Sequence, residues 1–253
     1  MPGEFSGKVA VITGGSRGIG RAAARLSGAR GWSVAVNYLG NANAAKEAVA
    51  EVERAGGRAF ALQGDVAVEA DIVRLFDATE TAFGPADALV NNAGILGPAM
   101  KLADMPVERM KRIFDTNVLG AYLAAREAAR RMSRSRGGKG GVIVNLSSVA
   151  ARLGAPNEFV DYAGSKGAMD SMTSGLAKEL GPEGIRVNAI RPGLIDTEIH
   201  ASGGKPDRAQ TMGAGTPLGR AGAAEEVAEA IIWLISDASS YVHGAILDVS
   251  GGR

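Results

Sequence analysis

Apolar residues follow two alternating patterns along this chain. Short runs rich in Val, Ile and Ala are apolar nearly throughout. Between them lie stretches whose apolar positions repeat every three or four residues. The first pattern predicts strands at Val9–Thr13, Ser33–Asn37, Arg58–Gln63, Ala88–Asn91, Val142–Leu146, Arg186–Ile190 and Ala245–Val249. The second predicts helices at Gly18–Arg30, Asn41–Arg54, Glu69–Phe83, Asp161–Leu180 and Ala224–Ser236, with Pro106–Met132 as one helix or two pieces. Apolar strands without alternation are buried on both faces, as parallel strands between helices are. Right-handed crossovers then place helices on both sides. The expected fold is α/β, a doubly wound parallel seven-stranded sheet, in a single domain over residues 1–253.

Two stretches leave this rhythm. Arg130–Gly141 is basic and glycine-rich, and reads as a surface loop. Ile195–Ala223 shows no periodicity. Loops this long are usually functional, so it is expected to be a lid over the ligand crevice.

Composition narrows the chemistry. The net charge of +1 gives no global field to attract nucleic acid or an anionic membrane. There is no cysteine, which removes disulfides, thiolate metal sites and cysteine nucleophiles. Two histidines support neither a multi-histidine metal site nor a histidine triad. The first residues lack the basic-then-apolar pattern of a signal peptide, and no apolar run reaches ~18 residues. A cytoplasmic protein without a membrane span is expected. The 36 glycines imply many tight turns and close backbone approaches.

The first strand runs into Gly14-Gly15-Ser16-Arg17-Gly18-Ile19-Gly20 and then a helix. This order brings free N–H groups and a positive helix end to one point, where a pyrophosphate fits. Sites that select NAD carry an acid at the end of the second strand. Here that strand ends at Asn37-Tyr38, and Arg17 lies in the turn. A cation without a carboxylate suits a 2′-phosphate, so NADP is favoured over NAD.

Tyr162 and Lys166 stand four residues apart in a predicted helix, hence on one face. A phenol with pKa ~10 is a poor proton shuttle at neutral pH. A nearby ammonium favours the phenolate and is expected to lower that value. The strand Val142–Leu146 ends in Ser147-Ser148, where a parallel sheet binds ligands.

These features together resemble the classical short-chain dehydrogenase/reductase family over nearly the whole chain. The matching pieces are Thr13–Gly20, Asn91-Asn-Ala-Gly94, Asn117, Tyr162-x-x-x-Lys166, Arg191-Pro192-Gly193 and the tail Asp248–Arg253. The resemblance implies a Rossmann fold and hydride transfer between nicotinamide and a carbonyl or alcohol. Tyr162 would be the general acid or base. Lys166 would bind the ribose and depress the tyrosine pKa. Ser148 would hold the substrate oxygen, with Ser147 as fallback. Asn117 would hold a relay water by its main chain. Asp65 and Val66 would meet the adenine, and Asn92, Ala93 and Gly94 the adenosine side. Ile190–Gly193, with Pro192 in it, and Ile195 and Thr197 would contact the nicotinamide. Dimers or tetramers through Pro106–Met132 and Asp161–Leu180 are implied as well.

The substrate is left open, with Leu96–Met100, Val149–Val160 and the lid expected to choose it. Two other readings stand beside a small-molecule reductase. One is a catalytically silent dinucleotide-binding sensor or scaffold. The other is a 3-oxoacyl-carrier-protein reductase, docking on Arg130, Arg131, Arg134 and Arg136. Glu183, where such enzymes often carry a basic residue, counts against the second.

Overall fold

The computed structural model describes residues 7–253. Residues 1–6, read above for a targeting pattern, lie outside them. The chain alternates β1 (Val9–Ile12), α1 (Gly18–Ala29), β2 (Ser33–Tyr38), α2 (Ala42–Arg54), β3 (Arg58–Gln63), α3 (Glu69–Phe83) and β4 (Ala88–Asn91). It continues through α4 (Val107–Phe114), α5 (Gly120–Met132), β5 (Gly141–Leu146), α6 (Ala150–Leu153), α7 (Val160–Leu180) and β6 (Ile185–Pro192). The last elements are β7 (Ile195–Asp196), α8 (Ile199–Ser202), α9 (Arg208–Gly213), β8 (Gly222–Ala223), α10 (Ala224–Ile235) and β9 (Ile246–Val249).

Seven strands make one parallel sheet in the order β3-β2-β1-β4-β5-β6-β9. The order reverses at β1, so a crevice opens beyond the carboxyl ends of β1 and β4. Successive strand residues point to opposite faces. Ala10 and Ile12 therefore join one core, with Trp32, Val36 and the α1 and α10 side chains Ala23, Val227 and Ile231. Val11 joins the other, with Leu89, Ile143, Phe76, Ala124 and Leu180. Each fully buried aliphatic side chain stabilises such a core by about 1.5–3 kcal/mol.

Three expectations change. Pro106–Met132 is helical in two pieces, but Asp115–Leu119 between them is a π-helical turn, not a break. The basic stretch at 130–141 is not all loop. Its first residues finish α5, and Arg134–Arg136 forms a 3-10 turn. The segment 195–223, expected to lack regular elements, holds two short helices, α8 and α9, and is closed by pairing of β7 with β8. Helices of four and six residues are too short to show a period.

Candidate active site

The glycine turn is held from both sides. Thr13 Oγ1 accepts hydrogen bonds from the backbone N–H of Asn92 and of Ala93, both at 3.1 Å. Asn92 Nδ2 donates to the carbonyls of Thr13 and Gly14 at 2.9 and 3.0 Å. From the other side, Asn37 Oδ1 accepts from Gly14 N at 3.3 Å, while its Nδ2 donates to Gly64 O at 2.9 Å. The buried Asn37 amide thus shapes the turn and does not project from it. Gly14 has φ of +61°, which a side chain would strain. A Cβ on Gly20 would lie 2.4 Å from Asn92 Nδ2 and 2.6 Å from Gly14 O.

This turn fits a dinucleotide phosphate. Arg17, extended at the start of α1, makes no side-chain cap, and the first turn carries no acid. The first N–H groups of the helix are left to an anion. Within the turn Ser16 is buried and Arg17 is exposed. The partly buried Tyr38 ends β2, a strand that carries no carboxylate. Asp65 lies past β3, with Oδ1 accepting from Ala67 N at 2.9 Å; Val66 is buried beside it.

The candidate reacting groups gather at the carboxyl end of β5. Ser147 Oγ donates to Lys166 O at 3.0 Å, which ties strand to helix and turns it away from reaction. Ser148 Oγ accepts from Ala150 N at 3.1 Å and hydrogen-bonds the Tyr162 phenol. Burial pushes the phenol above its usual pKa of 10, with the Ser148 bond opposing. The net direction is the opposite of the expected depression, because burial dominates. The Lys166 ammonium is 5.6 Å from the Tyr162 ring centre and donates to Leu146 O at 2.6 Å. Burial also lowers Lys166 to about 8, against the opposing charge of Asp170.

Asn117 sits in the π turn. Such turns recur at functional sites, because one extra residue per turn re-aims the chain. Its Oδ1 accepts from Ile95 N at 2.8 Å, and its Nδ2 donates to Ile95 O and to Ser165 Oγ. The side chain ties the segment after β4 to α7.

A cavity of about 490 Å³ joins these parts. Ile19, Asn92, Gly94, Ser148, Tyr162 and Lys166 line it, as do Pro192, Gly193, Ile195 and Thr197. Ser16, Arg17, Asn37, Tyr38, Asp65 and Val66 do not; they belong to the carboxyl edge of β1–β3 and the segments that follow it. All three segments expected to choose the substrate reach the cavity, through Leu96, Phe159 and Met212 among others.

Several contributors were not foreseen as site residues. Thr13 is the hub of the turn, and its place at the strand end was a usable signal. Arg253 lines the cavity from the tail. Arg109 grips Asp161, next to Tyr162, with Nε–Oδ2 at 2.8 Å and a second nitrogen to Oδ1 at 3.0 Å. Arg208 pairs with Glu158 at 2.8 Å and lies over the Phe159 ring. Pairings between residues 50 or more apart leave no local pattern. The basic run expected near α5 is partly neutralised, since Arg131 meets Asp77, Glu80 and Glu127. Glu183 accepts from the backbone and hydroxyl of Ser135, both at 2.9 Å. Among the described residues no helix is long and apolar enough to cross a membrane.

Comparison with known proteins agrees with this geometry. A family model described as enoyl-(acyl carrier protein) reductase matches residues 14–253. The oxidoreductase YgfF of Escherichia coli (strain K12) is 51% identical over 97% of this chain and 99% of its own. The 3beta-hydroxysteroid dehydrogenase 1 of Eggerthella lenta is 40% identical over 100% of this chain and 95% of its own. A short chain dehydrogenase from Burkholderia cenocepacia, solved in complex with NADP, superposes with a TM-score of 0.88 at 34% identity, covering 98% of each chain. With its seven-stranded sheet, glycine turn and Tyr162–Lys166 pair, this chain belongs to the short-chain dehydrogenase/reductase family and is an NAD(P)-dependent oxidoreductase.

Proposed function

We propose that the enzyme interconverts a carbonyl and a secondary alcohol on a small molecule, with NADP(H) preferred over NAD(H). The convergence of Ser148, Tyr162 and Lys166 on one cavity beside the glycine turn carries this reading. A bound nicotinamide supplies or accepts the hydride. Tyr162 moves the proton between its phenol oxygen and the substrate oxygen. A phenol held above its ordinary pKa stays protonated at neutral pH, which suits the acid role in reduction. Ser148 orients the substrate oxygen by a hydrogen bond. Lys166 meets the ribose hydroxyls and, as an ammonium, favours the phenolate when Tyr162 gives up its proton. Asn117 holds a relay water by its main chain.

Gly14 to Gly20 take the pyrophosphate, Asp65 and Val66 the adenine, and Asn92 to Gly94 the adenosine side. Pro192, Gly193, Ile195 and Thr197 take the nicotinamide. The NADP preference rests on Arg17 and on the lack of an acid at Asn37–Tyr38, and the NADP-bound Burkholderia relative supports it. A carrier-protein substrate is the second reading, favoured by the family model's description. The neutralised Arg131 and the acid at Glu183 weigh against it.

The test compares Tyr162→Phe with wild type on a panel of small carbonyl compounds, with NADPH and NADH. The variant is expected to lose about 10²–10⁴-fold in kcat while binding NADPH near normally. Wild-type kcat in the variant would remove Tyr162 from the proton step, and a higher kcat/KM for NADH would reverse the cofactor preference. No turnover by the wild type would favour the silent sensor.

A further inference from the structure

We infer that the substrate is a bulky apolar ketone or secondary alcohol, alicyclic in shape, and not a sugar; this deepens the carbonyl–alcohol reading and rests on it. The cavity divides by chemistry. Ile19, Gly94, Pro192, Gly193 and Thr197 belong to its nicotinamide side, and Thr197 lies against Gly18 of the phosphate turn. Leu96, Leu153, Phe159, Leu194, Ile199 and Met212 line the rest. Leu153 on α6 and Met212 on α9 remain 45% and 37% exposed, although both border the cavity. Apolar surface of this kind is covered favourably by an apolar ligand.

The polar side chains of the cavity are mostly committed to the protein itself. Asn92 Nδ2 holds the carbonyls of Thr13 and Gly14, and Ser147 holds that of Lys166. Glu158 is paired with both Lys205 and Arg208. Ser148 and Tyr162 serve the reacting oxygen. Beyond them Arg253 remains on the substrate side and Thr197 on the nicotinamide side; the Arg253 carbonyl is held by Arg152. A sugar carries a hydroxyl on nearly every carbon, and each one buried without a partner weakens binding. One guanidinium cannot answer them all. A fused ring system bearing a single carbonyl needs one polar partner at the reaction centre and apolar walls elsewhere.

The test follows oxidation by NADP⁺ and by NAD⁺ of cyclohexanol, a decahydronaphthol and a 3-hydroxysteroid, against aldohexoses. kcat/KM is expected to rise about tenfold or more with each enlargement of the ring system, with aldohexoses lowest. Leu153→Gln and Met212→Gln are each expected to raise KM for the decahydronaphthol about tenfold, with kcat and NADP⁺ affinity near wild type. Aldohexoses equal to or better than the decahydronaphthol would overturn the inference, as would an unchanged KM in both variants. If NADP⁺ binds but no alcohol of either class is oxidised, the carbonyl–alcohol reading itself falls, and this inference with it.

Discussion

The Lys166 ammonium is enclosed in the fold, with Leu146 O as acceptor and its pKa brought down to about 8. The unfolded chain keeps that proton to about 10.5. Between these values the unfolded state binds more protons, so stability rises with pH across that window. Below it both states carry the charge, and the fold bears the whole cost of burying it. Lys166→Met removes that cost. Its stability advantage over wild type should be largest at neutral pH and shrink from about 8 to about 10.5, as read by urea denaturation. An advantage that stays constant across the window would contradict this account. The candidate residues were legible in sequence, because Ser148 follows a strand end and Tyr162 and Lys166 stand four residues apart in a helix. The direction of the Tyr162 shift was not. It depends on burial by segments distant in the chain, which spacing does not encode. The Asn37 amide illustrates the same gap, since its two partners sit on neighbouring strand ends.

Between elements, two ion pairs join segments around the cavity. Arg109 on α4 holds Asp161 at the start of α7, with the side chains 9% and 1% exposed. Asp161 also accepts the Tyr162 N–H at 2.9 Å. Arg109→Ala leaves a buried carboxylate without its cation, and is expected to cost about 3–5 kcal/mol in urea denaturation. A loss under about 1 kcal/mol would show the pair to be solvated. The second fastens the 195–223 excursion. Glu158, before α7, meets Lys205 and Arg208 at the start of α9, and its carboxyl is held near a pKa of about 2. The folded value lies below the ordinary 4.5, so this stabilisation is complete above about 4.5 and is lost as pH falls towards about 2. At neutral pH only a substitution releases it. Glu158→Gln should speed tryptic cleavage at Arg208, which Ala209 follows, and an unchanged cleavage rate would show that other contacts hold this excursion. The long strands and helices were readable, because their burial follows a period. The π turn was not, since the slip in helix register goes with Asn117 reaching across to Ile95 and Ser165.

At the scale of the whole molecule, three exposed apolar side chains follow one another along a single helical segment. Phe114, Leu119 and Tyr122 are exposed along α4, the π turn and α5. The neighbouring face of α7 exposes Gly164, Ser171, Ser174 and Gly175, small enough for close approach of a second helix. Apolar patches of this kind mark contact surfaces. We propose that copies of the chain pair through this face, as a dimer or within a tetramer. Light scattering should give a mass above 25.8 kDa at micromolar concentration, and Tyr122→Glu should lower it. A wild-type monomer would exclude this role for the face. The parallel, doubly wound sheet follows from the alternation of strand and helix with right-handed crossovers, so this level of structure was the most legible of all.

The short pairing of β7 with β8 has a consequence of its own. Ile195 is in register with Gly222, and Asp196 with Ala223, so the excursion between them leaves and rejoins the body through one small clasp. Closing a longer loop across fixed ends adds only about 0.6 kcal/mol for each doubling of its length. The stretch inside the clasp is therefore an exchangeable cassette. Beyond Thr197 it can be lengthened, shortened or replaced to change what borders the cavity, while α7, which carries Tyr162, and the glycine turn keep their places.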